Sequence, residues 1–255
     1  MRSLGRPFLL ILLLPASLLA QPPAAPSPFI GRQASQAWAQ RADPQKTVEA
    51  IHLWQKALQE NPKETELLIR LTMACGAAYR QATDRERRIY WADQARRFAE
   101  RAVKENPEKS WAYAALGEAL GQWADVHRGF HSLGAVKRAV EALQKAIQLD
   151  STNFYAHMLL SQFYDQAPKL FSVGNKSKGL EEARLAVKYG PQYAIAHLAL
   201  ARNLKDTGHK EDSIEQLKYV LGMPAPPDAV PETKSNKEDA CKALKEDGIS
   251  CAIPS

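Results

Sequence analysis

A four-point ladder recurs along this chain and constrains its fold more than any other feature. Ala50, Trp54, Ala57 and Pro62 are spaced four, three and five residues apart. Ala95, Ala99, Ala102 and Pro107 repeat the spacing, as do Ala139, Leu143, Ala146 and Ser151, and then Gly179, Ala183, Ala186 and Pro191. A fifth copy, Ser213, Leu217 and Val220, stops before its proline. Residues three and four apart share one helix face, and small ones let a neighbouring helix approach closely. The proline then blocks continuation of the helix. Self-similarity of this kind marks an array of helical hairpins, an architecture that binds partners more often than it performs chemistry. Glycine is scarce at 13 residues and strand-like alternation is rare, so the expected fold is all-α. The 255 residues suffice for one repeat domain with a continuous core.

The ladder resembles the second helix of the tetratricopeptide repeat. The first helices agree: Leu116-Gly117 with Leu120, Leu160-Ser161 with Tyr164, and Leu200-Ala201 with Leu204 stand where that repeat carries Leu-Gly and a later large residue, and Gly208 falls at the turn between helices. The simple repeat has a period of about 34 residues. Here Pro62 to Pro107 is 45, Pro107 to Ser151 is 44 and Ser151 to Pro191 is 40. The middle repeats therefore carry insertions, expected as longer helices or longer turns. With that uneven period, residues 66–221 resemble the periplasmic T-component proteins associated with TRAP-type solute transporters, and also the regulator-of-microtubule-dynamics family. The stretches that carry this are WADQARRFAERAVKENPEKSWAYAALGEALG, FHSLGAVKRAVEALQKAIQLD and KGLEEARLAVKYGPQYAIAHLALARNLKDTGHKEDSIEQL. The resemblance implies a tetratricopeptide-like solenoid of about five hairpins with a C-terminal capping helix.

The ends bound the compartment. Arg2 and Arg6 precede a nearly all-apolar run from Pro7 to Ala20, which reads as a signal peptide (1–20) cut near Ala20. Its 14 residues fall short of the ~20 that span a bilayer, although a retained anchor is the alternative. No cysteine follows the run, so a lipid anchor is disfavoured, and the expectation is a soluble exported protein, periplasmic or secreted. That location argues against a microtubule role. Residues 21–31 are Pro-rich and expected as a flexible spacer, 32–223 as the repeat domain, and 224–255 as a Pro-rich linker with a short helix capped by Ser235 or Asn236. The formal charge is +6, from 34 basic and 28 acidic residues. The densest basic stretch, RERRIYWADQARR, is interrupted by Asp93 and reads as a solvated face, so nucleic acid is not an expected partner.

Of the three cysteines, Cys75 lies on the apolar side of a first helix and is expected as a buried free thiol. Cys241 and Cys251 are ten apart across a Gly248 turn; in an oxidising compartment they either close a small loop or stay reduced, and spacing alone does not decide.

In stacked hairpins the first helices line the concave surface. The resemblance implies that the second, fifth, ninth, twelfth and thirteenth positions of each repeat face it. Those positions hold Glu66, Ile69, Met73, Gly76 and Ala77, then Trp111, Ala114, Glu118, Gly121 and Gln122. The next repeats supply Tyr155, Met158, Gln162, Asp165 and Gln166, then Ile195, Leu198, Arg202, Lys205 and Asp206. The candidate groove therefore comprises Trp111, Glu118, Gln122, Tyr155, Gln162, Asp165, Gln166, Arg202 and Lys205. Aromatic rings beside amides and charges suit a peptide or a small polar ligand, though Trp111 and Tyr155 are equally readable as packing between helices. The Lys and Asn clamp of chaperone-tail-binding tetratricopeptide domains is not expected, because Ile69, Met73, Ala114 and Glu118 stand in the matching places. Arg202 and Lys205 still suffice for one carboxylate.

Signals for chemistry are weak. His127 and His131 are four apart, a chelating spacing on a helix, but Gly129 between them weakens that helix. His157 and His197 occupy equivalent places in consecutive repeats and read as structural, each ring nitrogen serving a helix-terminal carbonyl. KLFSVGNKSKG lacks phosphate-loop spacing and reads as a turn before a helix near Lys178. The expected function is a non-catalytic, cofactor-free exported scaffold that binds a protein or peptide in its groove. The alternatives are a solute-handling accessory of a TRAP-type transporter, with the solute near Trp111, Tyr155, Gln162 and Arg202, and a metal-dependent enzyme built on His127 and His131.

Overall fold

The computed structural model describes residues 28–127, 130–166 and 175–253. Among the described residues there are eleven helices and no strand. They are α1 Pro28–Ala39, α2 Pro44–Glu60, α3 Thr65–Gln81, α4 Arg85–Glu105, α5 Ser110–Val126, α6 Phe130–Leu149, α7 Phe154–Gln166, α8 Lys176–Tyr189, α9 Ala194–Asp206, α10 Lys210–Gly222 and α11 Val230–Glu246. They form five antiparallel hairpins, each packed on the next, and α11 stacks on α9 and α10. This is a tetratricopeptide-like solenoid. No described helix is long and apolar enough to cross a membrane.

The ladder occupies the second helix of every hairpin. Ala50, Trp54 and Ala57, Ala95, Ala99 and Ala102, Ala139, Leu143 and Ala146, Gly179, Ala183 and Ala186, and Ser213, Leu217 and Val220 are all buried. The fourth rung does more than stop the helix. A four-residue turn follows each of four second helices, closed by Glu64 N–H to Asn61 O, Lys109 to Asn106, Asn153 to Asp150 and Tyr193 to Gly190. Pro62, Pro107, Ser151 and Pro191 are the second residue of that turn, the place where the fixed φ of proline fits. The first two insertions lie in the helices, whereas the third falls between α7 and α8: α4 and α6 have 21 and 20 residues against 14 and 13 in α8 and α10. Likewise α3 and α5 have 17 against 13 in α7 and α9.

Polar side chains fix the helix starts. Asp43, Glu64, Asp84 and Asn175 accept from backbone N–H groups in the first turns of α2, α3, α4 and α8. Gly208, with φ of 88°, makes the α9–α10 turn that its position suggests. Three successive core clusters, α1 to α5, α5 to α9 and α9 to α11, run along the stack. Cys75 is buried in the first, and burial pushes its thiol up to about 12.

Two boundaries differ from the expectation. The first helix begins at Pro28, inside the stretch expected as a spacer. The last helix begins at Val230, so Ser235 and Asn236 are interior to it and Asn236 is buried. Pro231 sits in its first turn, where a missing N–H costs nothing. Cys241 and Cys251 form a disulfide with Cα atoms 5.5 Å apart, which ties the end of the chain to α11.

Candidate partner-binding face

The first helices of successive hairpins pack on one another in the order α3, α5, α7, α9, α11 and form the inner wall of the solenoid. Its centre is a cluster organised by Glu118. This carboxylate, with a side chain only 10% exposed, accepts from Arg80 Nη1 at 2.6 Å, Gln122 Nε2 at 2.9 Å and Tyr155 OH at 2.8 Å. The Tyr155 ring lies 5.7 Å from Trp111, nearly parallel at 16°. Three repeats thus contribute to one continuous wall of aromatic and charged groups. Gly76 makes room for Gln122, since a Cβ there would come 3.0 Å from its Nε2.

Arg80 is 53% exposed to water, yet burial is the largest influence on its guanidinium. Burial pulls it down, but the Glu118 carboxylate holds it above its ordinary value. Burial, then the Glu118 charge, pushes the Tyr155 hydroxyl well above the usual phenol range, so it stays a hydrogen-bond donor.

The remaining candidates separate from this cluster. Gln162 bends to Met158 Sδ at 3.1 Å. Asp165 lies beside Asp206; burial first, then that neighbouring carboxylate, raises it to about 6, against the opposing pull of Lys176 and Arg202. Arg202 is exposed on α9. Lys205 already holds a carboxylate, its Nζ 3.0 Å from both oxygens of Asp247 just beyond α11. Gln166 ends α7, and its side chain lies outside the described residues, as does most of KLFSVGNKSKG.

The histidines sort clearly. His127 follows α5 and stacks on Trp123 at 4.1 Å, whereas His131 lies in α6, so they share no helix face. Among the described residues no group of side chains has metal-binding spacing. His157 Nε2 meets Ser151 O at 3.1 Å and His197 Nε2 meets Pro191 O at 3.0 Å, each serving the carbonyl of the proline-position residue in the preceding turn. Their Nδ1 atoms reach Glu182 at 2.6 Å and Gln216 at 2.8 Å on the second helix of the same hairpin. The basic stretch of α4 is less free than a solvated face. Arg88 bonds Tyr79 OH and Asp125, each at 2.6 Å, and Asp93 accepts from Trp123 Nε1 at 2.8 Å.

Sequence reasoning missed Arg80 and Arg41. Arg80 was within reach: the extra turn of α3 carries the inner stripe of Met73, Gly76 and Ala77 on to position 80. Arg41, in the α1–α2 turn, belongs to no periodic pattern. Its buried guanidinium donates from Nε to Glu232 Oε1 at 2.6 Å and from Nη2 to Glu232 Oε2, joining the first hairpin to α11 across 191 residues.

A family model described as regulator of microtubule dynamics protein 1-3 matches residues 30–245, and the chain belongs to that family. Of the two families the sequence resembles, this is the one that matches. Among solved structures, a thermophilic TPR protein of Thermus thermophilus is 17% identical, with 85% of this chain and 98% of that chain covered and a TM-score of 0.65. MamA of Desulfovibrio magneticus RS-1 is 17% identical over 75% and 95% of the two chains, TM-score 0.46. YrrB, described as a TPR protein with an unusual peptide-binding site, is 16% identical over 85% and 89%, TM-score 0.43. No curated protein sequence matches the chain significantly.

Proposed function

We propose that this family member is a non-catalytic adaptor that holds a protein or peptide partner against the inner wall of its solenoid. One observation carries the reading: Trp111, Tyr155, Glu118 and Arg80, from three successive repeats, form one continuous, partly buried surface in which the Arg80 side chain is 53% exposed. The rings offer broad apolar contact at little entropic cost. The half-exposed guanidinium spends one N–H group on Glu118 and keeps others for a partner's carbonyl or carboxylate. No side chain in the cluster is arranged as a nucleophile beside a base. Export remains part of the proposal, supported by the N-terminal charge and apolar pattern and by the Cys241–Cys251 bridge, which suits an oxidising compartment.

The test is capture of a partner from the native organism by the full chain, followed by amide hydrogen exchange of the complex. Protection gained on α3, α5 and α7, together with loss of the partner in a Trp111→Ala, Arg80→Ala double variant that melts normally, is the expected result. A partner retained by the double variant refutes this face. N-terminal sequencing of the protein from cells tests export: an amino terminus near Gln21 is expected, and Met1 refutes cleavage.

A further inference from the structure

Arg41 is the most completely engaged charged group among the described residues. Its side chain is 6% exposed and lies 4.5 Å over the Trp38 ring. Nη1 donates to Trp38 O at 2.9 Å, which fixes the fork, and the Arg41 carbonyl accepts from Gln81 Nε2 of α3 at 2.7 Å, which fixes the turn. What remains is a two-pronged socket of Nε and Nη2, the geometry that matches a carboxylate. Glu232 fills it, while Nη2 also donates to the Asp228 carbonyl at 2.6 Å. The same short segment is held once more, by Tyr193 OH donating to Asp228 Oδ2 at 3.0 Å.

The chain from Pro224 to Glu232, PAPPDAVPE, is therefore held as a peptide ligand is held: a carboxylate in a fork, a backbone carbonyl read beside it, and a second carboxylate on a tyrosine. Polar contacts join it to the first hairpin, and α11 itself packs on α9 and α10. Glu232 is 42% exposed, so water reaches the outer side of the pair. Gln81, which donates to the Arg41 carbonyl, is the neighbour of Arg80 at the end of α3, so the socket adjoins the margin of the inner wall.

We propose that the Arg41 fork is a recognition site for an acidic peptide, occupied in this state by the chain's own Glu232, and that a partner segment carrying a Glu or Asp displaces PAPPDAVPE to reach the inner wall. This rests on the inner-wall reading and names the partner's chemistry. Displacement leaves the buried Met223 in place and needs no disruption of the apolar core. Residues 224–229 are not helical and none is buried, only the first turn of α11 (Val230, Pro231 and Glu232) has to unwind with them, and the rest of α11 stays anchored by Ala240, Cys241 and Leu244 and by the Lys205–Asp247 pair.

Fluorescence anisotropy with two labelled peptides, PAPPDAVPE and its neutral form PAPPNAVPQ, tests it on the full chain. The wild type should bind the acidic peptide weakly, because a tethered competitor acts at an effective concentration of the order of millimolar. Glu232→Gln, which empties the fork, should bind it at least tenfold more tightly, and the neutral peptide should not bind. Arg41→Lys keeps the charge but loses the fork, and with Glu232→Gln in the background it should lose that gain while melting normally. Equal affinity of wild type and Glu232→Gln, or equal binding of both peptides, overturns the proposal. A concentration-dependent dimer of Glu232→Gln that excludes the peptide assigns the socket to a second copy and also overturns it. Trp111→Ala separates the two readings. Tight peptide binding that ignores this change keeps the socket and removes the inner wall, whereas loss of binding through Trp111→Ala with the Glu232→Gln gain absent does the reverse.

Discussion

Helices α5 and α6 approach closely at Gly117, and the contact gives a prediction with two opposing terms. A Cβ on Gly117 of α5 would lie 2.5 Å from Leu143 Cγ and 2.6 Å from Cδ2 in α6, with Ala139 O at 3.3 Å. Leu143 is 0% exposed, and its branch carbon as well as one tip methyl is in the way, so a simple rotation of the tip gives no relief. Gly117→Ala therefore belongs in the upper part of the overpacking range, about 1–3 kcal/mol. Against it stands the better helix propensity of alanine, worth ~1 kcal/mol. The expected net loss is about 2 kcal/mol, or ~4–8 °C in melting temperature for a domain of this size. Gly134 in α6 is the control, because it is exposed with nothing within 4 Å of its would-be Cβ. Gly134→Ala should gain ~0.5–1 kcal/mol and raise the melting temperature by a few degrees. Leu143→Ala alone should cost about 2–5 kcal/mol. The Gly117→Ala, Leu143→Ala double variant should cost at least ~1 kcal/mol less than the sum, since the new methyl enters the space that leucine leaves. Circular dichroism melts of the four proteins decide. If Gly117→Ala stabilises as Gly134→Ala does, or the double variant is additive, the α5–α6 register derived from the ladder is wrong.

Three further outcomes follow from the same geometry. Reducing the Cys241–Cys251 bridge, which closes a loop of sequence separation 10, should destabilise α11 by about 2.5 kcal/mol on chain-entropy grounds, read as faster amide exchange confined to that helix; unchanged exchange would contradict it. Asp165 has its carboxyl raised to about 6, so the folded state holds the proton more tightly than the unfolded one, and that stabilisation is full below about pH 4 and lost as pH rises through 6. Asp165→Asn should melt higher than wild type at pH 7 with the gap closing at pH 4, and a gap independent of pH would show that the Asp165 carboxyl is not raised. Burial lowers His157 while the Glu182 and Ser151 hydrogen bonds raise it, the latter prevailing. His157→Ala should cost about 1–3 kcal/mol by leaving those two acceptors unpaired. The penalty should be larger at pH 6 than at pH 8, because the contribution of a raised histidine disappears as pH climbs past its folded value.

The legible part of this molecule is the part that repeats. Ala95, Ala99 and Ala102 announce their burial because an i, i+4, i+7 stripe of small residues has one use in stacked hairpins, and Pro107 announces the turn. His157 and His197 are readable for the same reason, since each stands six residues beyond a turn position that recurs. Register alone places Tyr155 and Trp111 on the inner wall. It does not place their partner Arg80, because the fixed positions of a 34-residue repeat end one turn too early for a 17-residue helix. The start of α11 is hidden because Val230-Pro231-Glu232 reads equally well as linker: proline suits the first turn of a helix as well as it suits a loop.

The contact between Arg41 and Glu232 has no local signal because it is a property of the whole array. Each hairpin is rotated slightly against the last, and the sum of those rotations, together with α11 in the place of a sixth first helix, decides whether the two ends meet. Arg41 therefore reports on the assembled curvature. If an inner repeat is loosened, as by Gly117→Ala, the fork should release Glu232 before the core yields, because polar contacts join that segment to the first hairpin whereas the repeats are joined by buried alanines and leucines.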